Sequence, residues 1–249
     1  MSIDFGKTAA DYARYRAGFP DLFFDRLHAL GIRGGAVLDL GTGTGTLARG
    51  FARRGFEVTA LDRSRPLLDT AAALAAEAGL EIRWVEATAE RTGLDGRFDL
   101  VSAGQCWHWF DRPVAAREAR RLLRPEGRLL IAHFDWVPLA GNVVQRTEAL
   151  IAAHNPAWVS SDGTGLYGAW LRDLAEAGFS GLETFSFDIG QPYTHESWRG
   201  RVRANAGIGA SLSPAAVLAF DREHAAMLAE HFPGELVVPH RVFAALARA

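Results

Sequence analysis

Cysteine occurs once in the 249 residues, at Cys106. A lone thiol excludes an internal disulfide and any metal site built from cysteines, and no metal is expected. Lysine is equally scarce, one residue against 26 arginines. With abundant alanine, that bias points to a bacterial genome rich in G and C, a statement about codons rather than function. No apolar run approaches the roughly 20 residues a membrane helix needs. The amino terminus has no long apolar stretch of the secretory kind, so the cytoplasm is the expected compartment. Neither sign of charge dominates: 22% of residues are charged and the formal net charge is -2. Whole-chain electrostatics therefore gives no reason to expect nucleic acid. The expected partner is a small molecule, with no membrane and no nucleic acid, and the protein itself a monomer or homodimer.

What the chain does have is enough apolar sequence, 49% of residues, to bury a substantial core. Its first half alternates short apolar runs with helical patterns, the βαβ signature of a parallel sheet. Strands are expected at Ala36–Leu40, Glu57–Leu61, Glu81–Val85, Phe98–Ala103 and Arg128–His133. Helices are expected at Gly45–Arg54, at Ser64–Gly79 with Ser64 as cap and Pro66 in the first turn, and at Pro113–Leu123, ending near Pro125. Beyond residue 134 the alternation weakens. Residues 135–172 read as an insertion over the active face, with one helix near Val143–Ala153. A strand at Thr184–Ile189, helices at Glu196–Ala206 and Pro214–His231, and a last strand at Leu236–Ala245 follow. Residues 1–30 read as a helical lid outside the sheet. The expectation is one domain spanning 1–249, its core at 35–134 and its substrate cap from 135–175 and 190–232.

Gly41, Gly43 and Gly45 follow the first strand at alternate positions, which lets the backbone turn sharply and approach a ligand. The spacing differs from the GxGxxG of dinucleotide loops. Asp39, two residues earlier, would sit awkwardly beside a pyrophosphate. It suits a cation such as S-adenosylmethionine (SAM), which carries an ammonium and a sulfonium. Asp62 ends the second strand, where an acid can accept both ribose hydroxyl protons. It could also simply cap the next helix.

These segments resemble class I SAM-dependent methyltransferases of the small-molecule type. Val37–Gly45 is similar to their glycine-rich motif, and Asp62 to their ribose-binding acid. Thr88-Ala89-Glu90 occupies the place of their Asp-Ala-Glu beside the adenine, with threonine for aspartate. Phe98–Val101 resembles their fourth strand, and Leu123–Gly127 their Leu-Arg-Pro-Gly-Gly turn, with Glu126 replacing a glycine. Gln105–Phe110 (Gln-Cys-Trp-His-Trp-Phe) and Ala10–Arg16 resemble trans-aconitate methyltransferase-like proteins. The resemblance implies a Rossmann-like α/β fold: a seven-stranded sheet flanked by helices, its last strand antiparallel. It implies methyl transfer from SAM to a small acceptor, possibilities including a carboxylate. The cofactor-binding residues it points to are Tyr15, Arg16, Asp39, Gly41, Thr42, Gly43, Gly45, Asp62, Arg63, Thr88, Ala89, Glu90 and Gln105. Two alternatives stay open: a SAM-binding protein without methyl transfer, cyclase-like or regulatory, and an NAD-dependent oxidoreductase.

For catalysis, His108 after the fourth strand and His133 at the end of the fifth should both face the crevice beyond the strand ends. Either could act as a base near neutral pH, and either could equally be a packing histidine. Trp107, Trp109, Trp136, Trp158 and Trp170 could wall a pocket or fill a core. Tyr12, Tyr15 and Arg16 could close over the cofactor. Arg117, Arg120, Arg121 and Arg124 read as a solvated helical face. Arg199 and Arg203, four apart, could bind an acidic acceptor.

Overall fold

The computed structural model describes residues 14–158 and 163–249. In chain order its elements are α1 (Asp21–Ala29), β1 (Ala36–Leu40), α2 (Thr46–Ala52), β2 (Glu57–Asp62), α3 (Arg65–Glu77), β3 (Arg83–Glu86) and β4 (Phe98–Gly104). A short 3-10 turn at Trp107–Trp109 precedes α4 (Arg112–Leu122) and β5 (Leu123–Trp136). Then come α5 (Val143–His154), α6 (Gly168–Glu176), β6 (Ser180–Tyr193), α7 (His195–Arg203), α8 (Pro214–His231) and β7 (Leu236–Arg248).

The strands form one seven-stranded sheet in the order β3-β2-β1-β4-β5-β7-β6. The pairs β3/β2, β2/β1, β1/β4 and β4/β5 are parallel, and the last strand, β7, is antiparallel. This is the expected Rossmann-like topology. Val37–Leu40 are all buried, as a central parallel strand covered on both faces requires. Strand order reverses between β1 and β4, and ligands of open α/β sheets lie beyond the carboxyl ends of strands at such a reversal.

The chain packs as two compact units. The larger comprises Gly18–Phe134, Tyr167–Phe187 and Val242–Ala249; the smaller comprises the described residues of 1–17 and 135–166, with Asp188–Arg241. The chain passes from one to the other within β5, β6 and β7.

In the larger unit, helices cover the sheet with small and aliphatic side chains. α3 buries Leu67, Leu68, Ala71 and Ala75, and α4 buries Ala115, Ala116, Ala119 and Leu122. Spacings of three and four keep these on one helical stripe. Pro113 sits in the first turn of α4, where a missing N–H costs nothing, and the Asp111 carboxylate accepts from the Val114 amide at 3.3 Å. α3 departs from expectation at its start: the Ser64 side chain makes no cap bond. Asp62 Oδ1 accepts the Ser64 amide instead, at 2.9 Å.

The smaller unit has its own core, centred on Trp136, Val144, Ile151, Trp198, Val202, Phe220 and Leu228. Its helices start at side-chain caps: Asn142 for α5, a reciprocal Thr194/Ser197 box for α7 and Ser213 for α8. No helix among the described residues is long and apolar enough to cross a membrane.

Candidate active site

The three loop glycines after β1 all adopt positive φ: 60° at Gly41, 57° at Gly43 and 76° at Gly45. A Cβ on Gly41 would lie 2.9 Å from Phe110 Cζ and 3.0 Å from Cys106 Sγ, so neither backbone nor space admits a side chain there. The turn is closed by the Gly45 amide on the Thr42 carbonyl and tied to β2 by the Thr42 amide on the Leu61 carbonyl, each at 2.9 Å. It then opens directly into α2.

Sheet register explains the two acids. Asp39 pairs in register with Ser102 of β4, and Ser102 Oγ donates to Asp39 Oδ1 at 2.7 Å. Thr42 Oγ1 donates to Oδ2 at 2.6 Å. Asp39 is 1% exposed, and burial pushes its carboxyl from 3.8 up to about 6, against those two hydroxyl bonds. It thus clips the loop to the sheet through both oxygens, and any effect on a cationic ligand acts through its field.

Asp62 ends β2 beside the loop. Its Oδ2 accepts the Gly43 amide at 2.9 Å while Oδ1 holds the Ser64 amide. The cap and ligand readings of this residue are therefore compatible. A carboxylate has about four lone-pair sites, so acceptor capacity remains for ligand hydroxyls. Burial raises the Asp62 carboxyl, against the Ser64 and Gly43 amides that hold it down. The Asp62 charge in turn contributes to raising Asp39. Two buried, mutually repelling carboxylates favour a cationic neighbour and oppose an added anion. The cradle therefore fits SAM.

The remaining expected cofactor residues divide. Arg63 and Thr88 are exposed, and the Thr88 carbonyl accepts the Arg91 amide at 3.2 Å. Ala89 is buried in the core. Glu90 Oε1 accepts the Asp111 amide at 2.9 Å, tying the loop after β3 to the start of α4. Gln105 stands at φ 62°, a left-handed conformation held by its amide on the Ala132 carbonyl at 2.8 Å. Such strain in a non-glycine residue gathers at functional sites. Tyr15 and Arg16 lie in the smaller unit, where Tyr15 Oη donates to Glu196 Oε1 at 3.4 Å. Tyr12 lies outside the described residues.

The two expected catalytic histidines come together, with ring centroids 5.3 Å apart. His108 is exposed and leans on Trp109 at 4.5 Å. His133 is buried, and its Nδ1 lies 3.1 Å from the Tyr167 hydroxyl. Tyr167 stacks on Trp170 at 3.9 Å and 6° between planes, and both rings face His133. Sequence reasoning did not single out Tyr167. Its signal was faint: an aromatic three residues before Trp170, the spacing that puts two side chains on one helical face. Ser102 was likewise missed, because its role depends on register with β1.

Of the two readings of the tryptophans, core packing is the one found for Trp107, Trp136 and Trp158. Trp107 is fully buried with its Nε1 on Asp173 at 3.1 Å, and Trp136 lies in the smaller unit with its Nε1 on Glu148 at 2.7 Å. Trp158 packs in the smaller unit's core. Arg199 and Arg203 do not stand ready for an acidic acceptor. Both bond to the Asp221 carboxylate, Arg203 at 2.8 Å, and both pair with Glu196 at 3.4 and 3.0 Å. Among the described residues no group of three or more His, Cys, Asp or Glu is placed to hold a metal ion.

Residues 38–131 match the family described as Methyltransferase domain. An uncharacterized methyltransferase of Mycobacterium tuberculosis is 35% identical over 153 residues, 59% of this chain and 60% of the relative. The match thus spans less than two thirds of that relative's length. Among solved structures, a protein of Anaeromyxobacter dehalogenans described as a type II methyltransferase superposes with a TM-score of 0.63 at 23% identity, over 94% of this chain and 97% of its own. The [4+2]-cyclase SpnF superposes with a TM-score of 0.56 at 21% identity, over 94% and 83%. At these identities the structural likenesses establish the Rossmann-like fold.

Proposed function

We propose that the protein is a SAM-dependent methyltransferase acting on a small-molecule acceptor. The observation that carries this reading is Asp62. It sits at the end of β2, bonded to the glycine loop through Gly43, with acceptor capacity left over and a second buried acid at Asp39. When bound, SAM supplies a methyl group already activated on a sulfonium. The chain's own work is then mainly positioning and exclusion of water. Asp62 accepts hydrogen bonds from the ribose hydroxyls, and the left-handed glycines let the backbone approach closely. The field of Asp39 and Asp62 favours a cation and disfavours a diphosphate, which supports SAM over a nicotinamide dinucleotide.

A base is required only where the acceptor must lose a proton. His108 and His133 sit side by side for that task, His133 oriented by the Tyr167 hydroxyl. The exposed rings of His108 and Trp109 support an acceptor with an apolar or planar body. The stretch Gln105–Phe110 supports kinship with trans-aconitate methyltransferase-like proteins. The arginines first expected to hold an acceptor carboxylate, Arg199 and Arg203, lend that acceptor no support, since acids of the chain already pair with them.

The test is release of S-adenosylhomocysteine from SAM across a panel of small carboxylic acids, phenols, amines and thiols. Release matched by methylated product in one class supports the reading. SAM bound but left intact by every class would favour a SAM-binding protein without methyl transfer.

A further inference from the structure

The arginines of α4, read from sequence as a solvated face, line a groove of about 840 Å³ in the larger unit. Arg117, Arg120, Arg121 and Arg124 recur at three- and four-residue spacing, so they share one side of the helix and its exit, over about 10 Å of axial rise. Arg97, preceding β4, joins them. The facing wall is the end of α6: a Cβ on Gly178 would lie 3.0 Å from an Arg120 guanidinium nitrogen.

Some of these guanidiniums are already partnered and others are not. Arg124 is neutralised by Asp99 through two bonds of 2.8 and 3.0 Å, and Arg121 by Glu118 at 2.7 and 2.8 Å. Arg97 spends its guanidinium on backbone carbonyls, those of Arg121 and Leu123. Among the described residues, Arg117 and Arg120 have no hydrogen-bond or ion-pair partner. The groove also contains two acids. Asp173 is already bonded by Trp107 and Arg112, and Glu176 is exposed. Three guanidiniums thus face one groove without a carboxylate of their own, in a chain whose net charge is -2.

We propose that this groove binds a small polyphosphorylated molecule, at a site separate from the glycine loop. Guanidinium forks match phosphate oxygens bidentately and stay charged at every physiological pH. The volume falls within the few hundred to a thousand Å³ of small-ligand sites. A compact ligand is favoured over a long nucleic acid because the lining is limited to the end of α4, Arg97 and the facing end of α6.

The probe is inorganic tripolyphosphate, titrated calorimetrically into the whole protein at about 0.15 M salt, where exposed charges are well screened. The expected result is saturable binding to one site, weakened about tenfold or more in Arg117→Gln/Arg120→Gln, with SAM affinity unchanged. Both side chains are exposed, and the thermal midpoint of each variant checks that the fold is kept; the single Arg117→Gln serves if the pair disturbs it. Four outcomes overturn the proposal. They are no saturable binding, equal binding by the variant, citrate binding as tightly as tripolyphosphate, or tight binding only by a single-stranded oligonucleotide.

Discussion

Replacing Asp62 by alanine removes a single carboxylate that serves three clients. Two are backbone amides, Gly43 and Ser64, each 2.9 Å from a carboxylate oxygen. The third is the ribose edge of the proposed cofactor. Hydrogen bonds to a charged acceptor contribute about 1.5–3 kcal/mol each, but burial works against the ionised form, as the raised Asp62 carboxyl records. The loss in SAM binding free energy is therefore expected at about 1–3 kcal/mol in total. That corresponds to a dissociation constant roughly 5- to 150-fold weaker. Folding should suffer less than binding, because deleting a buried charge relieves desolvation while two amide bonds are lost. Asp62→Asn should fall between alanine and the wild type, since an amide keeps one acceptor oxygen but turns a donor toward the other amide. Isothermal titration of SAM near neutral pH reads these differences, with thermal melting run alongside. An Asp62→Ala protein that melts cooperatively and binds SAM within about twofold of the wild type would show that Asp62 does not hold the cofactor.

Asp39 ties stability to pH. Its folded-state value of about 6 lies above 3.8, so the native chain holds this proton more tightly than the unfolded chain does. The resulting stabilisation is complete below about pH 4 and is lost as pH rises through 6, a difference of roughly 3 kcal/mol by neutrality. Urea melts should show the wild type losing stability relative to Asp39→Asn across that interval; a constant difference would contradict the assignment. SAM affinity should rise over the same interval, as a cation prefers the ionised acid. His108→Ala should lower turnover more than SAM affinity, and steady-state kinetics giving the reverse pattern would reassign His108 to binding. Glu126 stands at φ 63°, a conformation that costs an L-residue about 1 kcal/mol. Glu126→Gly should raise the thermal midpoint, and a lowered one would show that the side chain makes good the strain.

What the sequence discloses is what local chemistry decides. The glycine loop, β1, β2 and α8 stand where patterning puts them, because alternation, helical periodicity and the turning of glycines act over a few residues. Glu126 is a second case. Its place in a turn where the resembling family has glycine is legible, and the left-handed backbone is found there. Pro125 reads as a stop, and β5 indeed pairs Leu123 with Phe98 but resumes only at Arg128 opposite Leu100. Residues 124–127 are accommodated as an irregularity within one long strand. The edge strand β6 is longer than expected, running over Ser180–Tyr193 with alternating exposure that a window on its apolar centre does not capture. Interactions between distant segments were not legible. The Ser102–Asp39 bond needs the β1/β4 register, the Tyr167–His133 bond needs α6 placed against β5, and the neutralisation of Arg199 and Arg203 needs α8 to bring up Asp221.

Under the proposed function, two buried acids and a left-handed glycine loop make a crevice for a cationic adenosyl ligand. Equilibrium binding of SAM and of NADH to the wild-type protein, each alone and then in competition, tests it most directly. Saturable SAM binding at one site that NADH does not displace is expected. NADH bound on residues 41–45, with SAM failing to bind or to compete, would contradict it.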